Sequence, residues 1–367
     1  MTTFARTSRV VASAVGVLLA DEARAEPRFA LETGLACAAC HVDPAGGGLA
    51  TDRGLAWAKD DLATYVPPGA WDPHIGAIVR IGAALRVEDE VTLPAKTTLD
   101  DVPFEAPGAN TFALSEVSLR LQVEPIADHL SVVVDEDLNA AKLNTAYVLA
   151  RGPSDAWLKA GWIAQRWGLG LRPGTALAQE ATLVSERPGL EVGATKGPLS
   201  LALALTSAAP IDGRLVAGER LSAIAEVRGA AWFCGVSAAT DNAADVRFPV
   251  SNNTGAVHAG ATVGPVRALA EVDVVRGKNT AEVFTRAASY VELNLEVHPG
   301  VYVQGAYDRY DPLLAVAENA RDRITLGGTW YVVRHVAIEA RLRVRRDIPQ
   351  LPEGNADTVL IGVRGSL

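Results

Sequence analysis

Methionine is almost missing from this sequence: Met1 is the only one among 367 residues. Beyond the N-terminus there is also no uninterrupted apolar run of about 20 residues, the length a helix needs to cross a bilayer. A helical membrane protein is therefore excluded, although 49% of the residues are hydrophobic. Basic charge is in deficit, with 34 Lys and Arg against 43 Asp and Glu for a net charge of −9, and no basic block stands out. That excludes nucleic acid as a partner. Cysteine is limited to three residues, and an odd number is a poor basis for a disulfide framework.

What is present begins with an export signal. Arg6 and Arg9 precede an apolar stretch from Val10 to Ala20, and Ala23-Arg24-Ala25 offers a small-x-small cleavage site. Residues 1–25 are thus expected to be a signal peptide. The alternative, a membrane anchor, needs a stretch nearer 20 residues. Cys234 lies in an alternating apolar segment and reads as a small buried or lipid-facing hydrophobe.

The other two cysteines stand in Cys37-Ala38-Ala39-Cys40-His41. Two thiols three residues apart suit the two vinyl groups of one haem, and the following histidine is then held beneath the iron as proximal ligand. A CxxC pair also serves zinc or redox chemistry. Zinc would want about four ligands, and no second Cys pair exists in the chain. One covalent haem c on Cys37, Cys40 and His41 is therefore expected. With Met1 lost alongside the signal, Met/His ligation is excluded. Of the remaining histidines, His129, His258, His298 and His335 lie far along the chain, whereas His74 lies in the N-terminal segment. His74 is accordingly the candidate distal ligand, against the plainer reading of an interfacial histidine near Trp71. Arg53 and Lys59 are candidate partners for the haem propionates, or else solvated surface charges. Residues 26–74 are too few to bury a haem by themselves, so this segment is expected to lean on the rest of the chain.

From Ile75 onward the pattern alternates with period two. Val336, Ile338, Ala340, Leu342 and Val344 alternate with Glu339, Arg341, Arg343 and Arg345; Val291, Leu293, Leu295 and Val297 alternate with Glu292, Asn294, Glu296 and His298. Such charged faces do not suit the core of a soluble β-sandwich pair, and a polar lumen with a lipid-facing exterior explains them. Sixteen strands are predicted, at 75–87, 112–124, 128–138, 140–150, 155–163, 188–196, 198–207, 219–228, 230–240, 254–264, 265–275, 284–298, 300–310, 323–333, 335–346 and 357–367. Short turns then alternate with long loops at 88–111, 164–187, 241–253, 311–322 and 346–356, except for a short link near Asn139. The fold class is thus all-β: residues 75–367 form a 16-stranded antiparallel outer-membrane barrel, and the haem segment 26–74 is its cap or plug. Trp157, Trp162, Trp167, Trp232, Trp330 and Tyr331 near strand ends are expected in interfacial girdles.

A haem motif followed directly by a 16-strand pattern resembles the fused monohaem cytochrome–porins of bacterial outer membranes. The resemblance implies that the haem segment occupies or caps the barrel and that electrons cross the membrane through it. An extracellular redox partner would thereby be linked to a periplasmic cytochrome. The residues after the motif depart from the pattern of the iron-oxidising members, so iron as donor does not follow. The stretches Trp157-Leu158-Lys159-Ala160-Gly161 and Trp167-Gly168-Leu169-Gly170-Leu171 are distantly similar to phosphate-selective porins. A second reading makes the chain a solute channel in which Arg80, Arg86, Arg120, Arg341, Arg343 and Arg345 select anions. A third uses an open iron position for small-ligand chemistry, with Glu292, Glu296 and Glu339 assisting.

Overall fold

In the computed structural model the described residues are 26–44, 46, 49–65, 74–75, 78–99, 102–139, 142–153, 155–170, 186–207, 217–244, 250–278, 283–316, 319–333, 336–347 and 352–366. The expected signal peptide, Trp71 and His335 lie outside them.

Sixteen strands close into a ring: β2 (Val79–Thr92), β5 (Ala109–Ile126), β6 (Leu130–Asp137), β7 (Lys142–Arg151), β8 (Ala156–Ile163), β9 (Arg187–Lys196), β10 (Leu199–Ser207), β11 (Ala217–Arg228), β12 (Trp232–Ala244), β13 (Val250–Val263), β14 (Val266–Lys278), β15 (Val283–His298), β16 (Val301–Asp311), β17 (Arg321–Val333), β18 (Val336–Arg346) and β19 (Thr358–Ser366). Each pairs antiparallel with its neighbours, and β19 returns to β2 in register, Val363 opposite Val87. A short stub, β1 (His74–Ile75), pairs with the start of β2, and a separate hairpin of β3 (Ala95–Leu99) and β4 (Val102–Ala106) fills the predicted long loop at 88–111. Closure leaves no unpaired sheet edge, the condition for spanning a bilayer with strands.

All sixteen predicted strands are present. Several run further than expected toward the long-loop end: β2 reaches Thr92, β12 reaches Ala244 and β13 starts at Val250. There the wall stands clear of the apolar belt, so alternation no longer marks strand residues.

The faces sort as the alternation demands. On β10, Leu199, Leu201, Leu203 and Leu205 lie outside, whereas Ser200, Ala202, Ala204 and Thr206 are buried inside. The same holds for Val272 and Val274 against Glu271 and Asp273 on β14. Exposed apolar side chains encircle the whole wall, which only lipid can cover at acceptable cost. Cys234 is among the exposed residues on β12. Trp232 and Trp330 face outward at the short-turn rim. Trp157, Trp167 and Tyr331 do not join them: each is buried inside the barrel, packed against lumen contents.

Among the described residues those contents are two segments of the chain itself, and many polar side chains of the inner face are buried against them or one another. The N-terminal segment carries α1 (Pro27–Thr33), α2 (Cys37–Cys40) and α3 (Asp52–Trp57), the last continued by a π-helical turn, Ala58–Leu62. Pro27 opens α1, and Gly34 closes it at φ +65, a left-handed conformation suited to glycine. The second segment is the stretch 164–170 after β8, which folds inward.

Candidate functional site

The N-terminal segment is fixed to the wall by buried polar contacts close to the short-turn ends of the strands. Arg28, 4% exposed, donates to Asn294 Oδ1 at 3.0 Å and to the Tyr331 hydroxyl at 3.2 Å, and pairs with Glu26. Arg364 reaches Glu26 at 3.3 Å, and Arg267 reaches Glu32 at 3.0 Å. Lys159, fully buried, sits between Asp43 at 3.0 Å and Glu191 at 3.1 Å. Arg151 donates to the Val42 carbonyl at 2.9 Å, and Arg80 to the Ala50 carbonyl and Asp52. Phe29 packs between Trp57, Tyr302 and Tyr331 with ring centroids 5.0 to 6.0 Å apart. The segment leaves along β17, where Thr64 N donates to the Tyr331 carbonyl and Tyr65 bridges Val333. Contacts to β2, β7, β8, β14, β15, β17 and β19 make the segment a plug of the short-turn half.

Within the plug, α2 is one helical turn that carries Cys37 and Cys40, and His41 caps it, its amide donating to the Cys37 carbonyl at 2.9 Å. Chain reversal after Gly46, itself at φ +85, brings Ala50 back beside His41 and the Val42 amide onto the Leu49 carbonyl. Thr51 joins this loop to α3: its hydroxyl donates to the Ala39 carbonyl and accepts from the Gly54 amide, and its amide donates to the Cys40 carbonyl. Gly54 lies so close that a Cβ there would collide with the Cys40 carbonyl oxygen. Both thiols are half-buried and are not joined in a disulfide. Burial pushes the Cys37 thiol up, opposed by the guanidinium groups of Arg166 and Arg228. The Cys40 thiol is likewise raised by burial, opposed by Arg53.

Beside Cys37 lies a small cavity of about 50 Å³, partly open to solvent, walled by the plug, by Gln165–Gly170 and by β11 and β12. Two thiols on one turn with a histidine next in line have the order of a covalent haem site, although Cys37 alone of the three lines this space and its volume is far below that of a macrocycle. Cys37, Cys40 and His41 would hold it, and it would supply one-electron exchange. Among the described residues no cluster of three or more His, Cys, Asp or Glu is arranged for a metal ion.

The other expected site residues scatter. His74 belongs to the wall rather than to the plug, its backbone paired opposite Arg80, and its side chain lies outside the described residues. Arg53 and Lys59 are exposed, pointing away from buried surroundings. His41 and His258 are the buried histidines among the described residues. His258 was passed over on the sequence, yet its Nε2 lies 3.4 Å from Glu226, which lines the cavity, and its ring stands 6.2 Å from Phe233, another lining residue. Gly235 sits in register between Glu226 and His258 on the intervening strand, so no side chain separates them. A histidine in phase with the polar face of β13 was the available signal.

The inward stretch 164–170 lies against the inner face of the wall on the β10–β14 side. Trp167 Nε1 donates to Asp273 at 2.9 Å, the Leu169 amide to Glu271 at 2.6 Å and the Gly168 amide to Ser237 at 3.1 Å. Gly168, at φ +49, lies against the Glu271 carboxylate where any Cβ would collide.

Of the six lumen arginines, Arg80 anchors the plug, Arg120 is paired with Asp135 at 2.7 Å, and Arg86 with Glu88 and Glu339. Arg341, Arg343 and Arg345 remain together on β18, spaced by roughly 7 Å along one face. Arg323 on β17 is in register with Arg345, and Arg343 has Thr325 and Thr358 as its direct cross-strand neighbours. These three β18 side chains are half-buried rather than packed away. Of the glutamates proposed for small-ligand chemistry, Glu292 accepts from Asn294 and Tyr290, Glu296 is paired with Arg267, and Glu339 with Arg86 and Arg341. They are structural partners of cations and hydroxyls.

No protein-family model matches this sequence, and no curated protein matches it. Solved structures do share its fold. An anion-selective porin from Comamonas acidovorans is 10% identical, covering 79% of this chain and 100% of its own length, with a TM-score of 0.58. OmpF of Salmonella typhi, in complex with daunomycin, is also 10% identical, covering 79% and 97%, with a TM-score of 0.60. The outer membrane channel DcaP of Acinetobacter baumannii is 11% identical, covering 80% and 99%, with a TM-score of 0.56. The barrel has the porin fold.

Proposed function

We propose that this chain is an outer-membrane porin-type channel for small anionic solutes whose short-turn mouth is held by its own N-terminal segment. The observation that carries this reading is the β18 face, where Arg341, paired with Glu339, is followed by Arg343 and Arg345, with threonines as the cross-strand neighbours of Arg343. Consecutive guanidinium groups along a lumen wall favour anion entry. The anion-selective porin among the structures of like fold agrees with it. In planar bilayers under a salt gradient, the reversal potential is expected to report anion preference and to move toward zero when Arg341, Arg343 and Arg345 are replaced by Gln. Cation preference in the unaltered protein would overturn the reading.

A second reading rests on a separate observation, the single helical turn that sets Cys37, Cys40 and His41 inside the lumen beside a cavity. In it the plug carries one haem c, and the protein transfers electrons between an extracellular partner and a periplasmic cytochrome, with the plug entering from the periplasmic side. A pyridine haemochrome spectrum of the membrane-extracted protein is expected to show one covalent haem that is reduced by dithionite; a colourless protein sinks this reading. Replacing His74 and His258 separately by Ala assigns the sixth iron ligand, because loss of that ligand converts low-spin to high-spin iron.

A further inference from the structure

Among the described residues no ion pair or hydrogen bond joins the plug to Arg341, Arg343 or Arg345 directly, but one carboxylate stands between them. Glu339 on β18 receives Arg341 at 2.9 Å and Arg86 at 3.0 Å on its Oε2, and Arg364 at 3.6 Å on its Oε1. Opposite it on β19 stands Gly362, which in turn faces Glu88 on β2, so no side chain blocks the way between the strands. Arg364 is the link to the plug. Its Nη1 meets Glu26 at 3.3 Å and its Nη2 donates to the Tyr331 hydroxyl at 3.0 Å, while that hydroxyl donates to Glu26 at 3.2 Å. The side chains of Arg364 and Glu339 are only 5% and 2% exposed.

A carboxylate offers about four acceptor positions but a single charge, so the three guanidinium groups around Glu339 share one negative charge. What Arg364 takes of it, Arg341 and Arg86 lose. Arg86 has a second acidic partner in Glu88 at 2.8 Å, whereas Arg341 has no second one among the described residues. Burial makes the competition count, because charges withdrawn from water are screened far less than exposed ones.

We propose that Glu26 of the plug tunes the anion preference of the lumen through Arg364 and Glu339. With the plug seated, Glu26 holds Arg364 and leaves Glu339 to neutralise Arg341. Withdrawal of Glu26 turns Arg364 wholly to Glu339, and Arg341 then presents its charge to the lumen. Arg364 and Glu339 are positioning residues that act through Arg341 and have no need to touch the solute. The inference rests on the anion-channel reading.

The test records reversal potential and single-channel conductance of the full-length protein in planar bilayers under a potassium chloride gradient. Glu26→Gln is expected to raise the chloride-to-potassium permeability ratio by about twofold, the lower end of what coupled side-chain networks transmit. Arg364→Gln is expected to lower the ratio, and adding Glu26→Gln to it is expected to change little more, the non-additivity of residues in one network. Glu32→Gln removes a plug carboxylate at Arg267 instead and is expected to shift the ratio much less. Glu339→Gln alters no plug residue and is expected to raise the ratio, so its outcome stands even where Glu26→Gln unseats the plug and raises the conductance. The inference is overturned if Glu26→Gln shifts the ratio equally with and without Arg364, or if Glu339→Gln leaves it unchanged. Absence of anion preference in the unaltered protein would instead defeat the channel reading on which it rests.

Discussion

The two ends of the lumen use the same kinds of residue in opposite ways. At the short-turn end, Lys159, Arg267 and Arg364 of the wall each meet an acceptor contributed by the plug, Arg28 of the plug meets Asn294 of the wall, and all four side chains are buried. Toward the long-loop end, Arg341, Arg343 and Arg345 share one strand face and keep contact with solvent. Charge at the first end fastens a segment in place; charge at the second does not hold the plug. The difference teaches that lumen arginines cannot be read as a selectivity filter until the contents of the lumen are known.

The largest expected effect comes from removing the plug. A chain lacking residues 26–65 is expected to fold as a heat-modifiable barrel and to conduct severalfold more than the full chain in planar bilayers. Equal conductance would show that the plug does not limit flow, and the contrast between the two ends would collapse.

Next is Lys159→Met. This change strands the carboxylates of Asp43 and Glu191 without their buried cation. Breaking a buried pair in this way costs about 3–5 kcal/mol. Lower denaturant resistance is expected, together with protease cleavage within 26–65; an unchanged digestion pattern would mean that the other anchors suffice.

A smaller effect is expected from Gly54→Ala, which pushes α3 away from the Cys40 carbonyl. Overpacking of this kind costs about 1–3 kcal/mol. The reporter is the protease resistance of the N-terminal segment, expected to fall; unchanged resistance would mean that the α2–α3 contact does not hold the Cys37–Cys40 turn. The smallest is Cys234→Ala on the lipid-facing wall. It is expected to change stability by less than about 0.5 kcal/mol, as surface substitutions do. A larger loss in refolding experiments would place Cys234 in a contact that the wall does not reveal.

Much of the barrel was legible because lipid outside and polar surroundings inside impose period two on every strand, and alternation is a local property. The aromatic girdle was only partly legible. Trp232 and Trp330 do face outward, but Trp157 shares its phase with Lys159 and Tyr331 with Thr329, so both point inward. The phase was readable; proximity to a strand end was the weaker cue. The candidate site was less legible still. The spacing of Cys37, Cys40 and His41 was evident, whereas the partners of the plug are set by contacts between Arg28 and Asn294, 266 residues apart, or Asp43 and Lys159, 116 apart. Nothing in local periodicity encodes such pairs.

By itself, then, the sequence determined how many strands there are, which face of each meets lipid, and that two cysteines and a histidine share one turn. These follow from alternation and spacing within a few residues. Only the tertiary structure decided that the N-terminal segment lies inside the ring, that Arg166 and Arg228 come to Cys37, and that Arg341, Arg343 and Arg345 are kept clear of the plug. Closure of the ring brings distant strands to a common interior, and buried charges there must find partners wherever the chain supplies them.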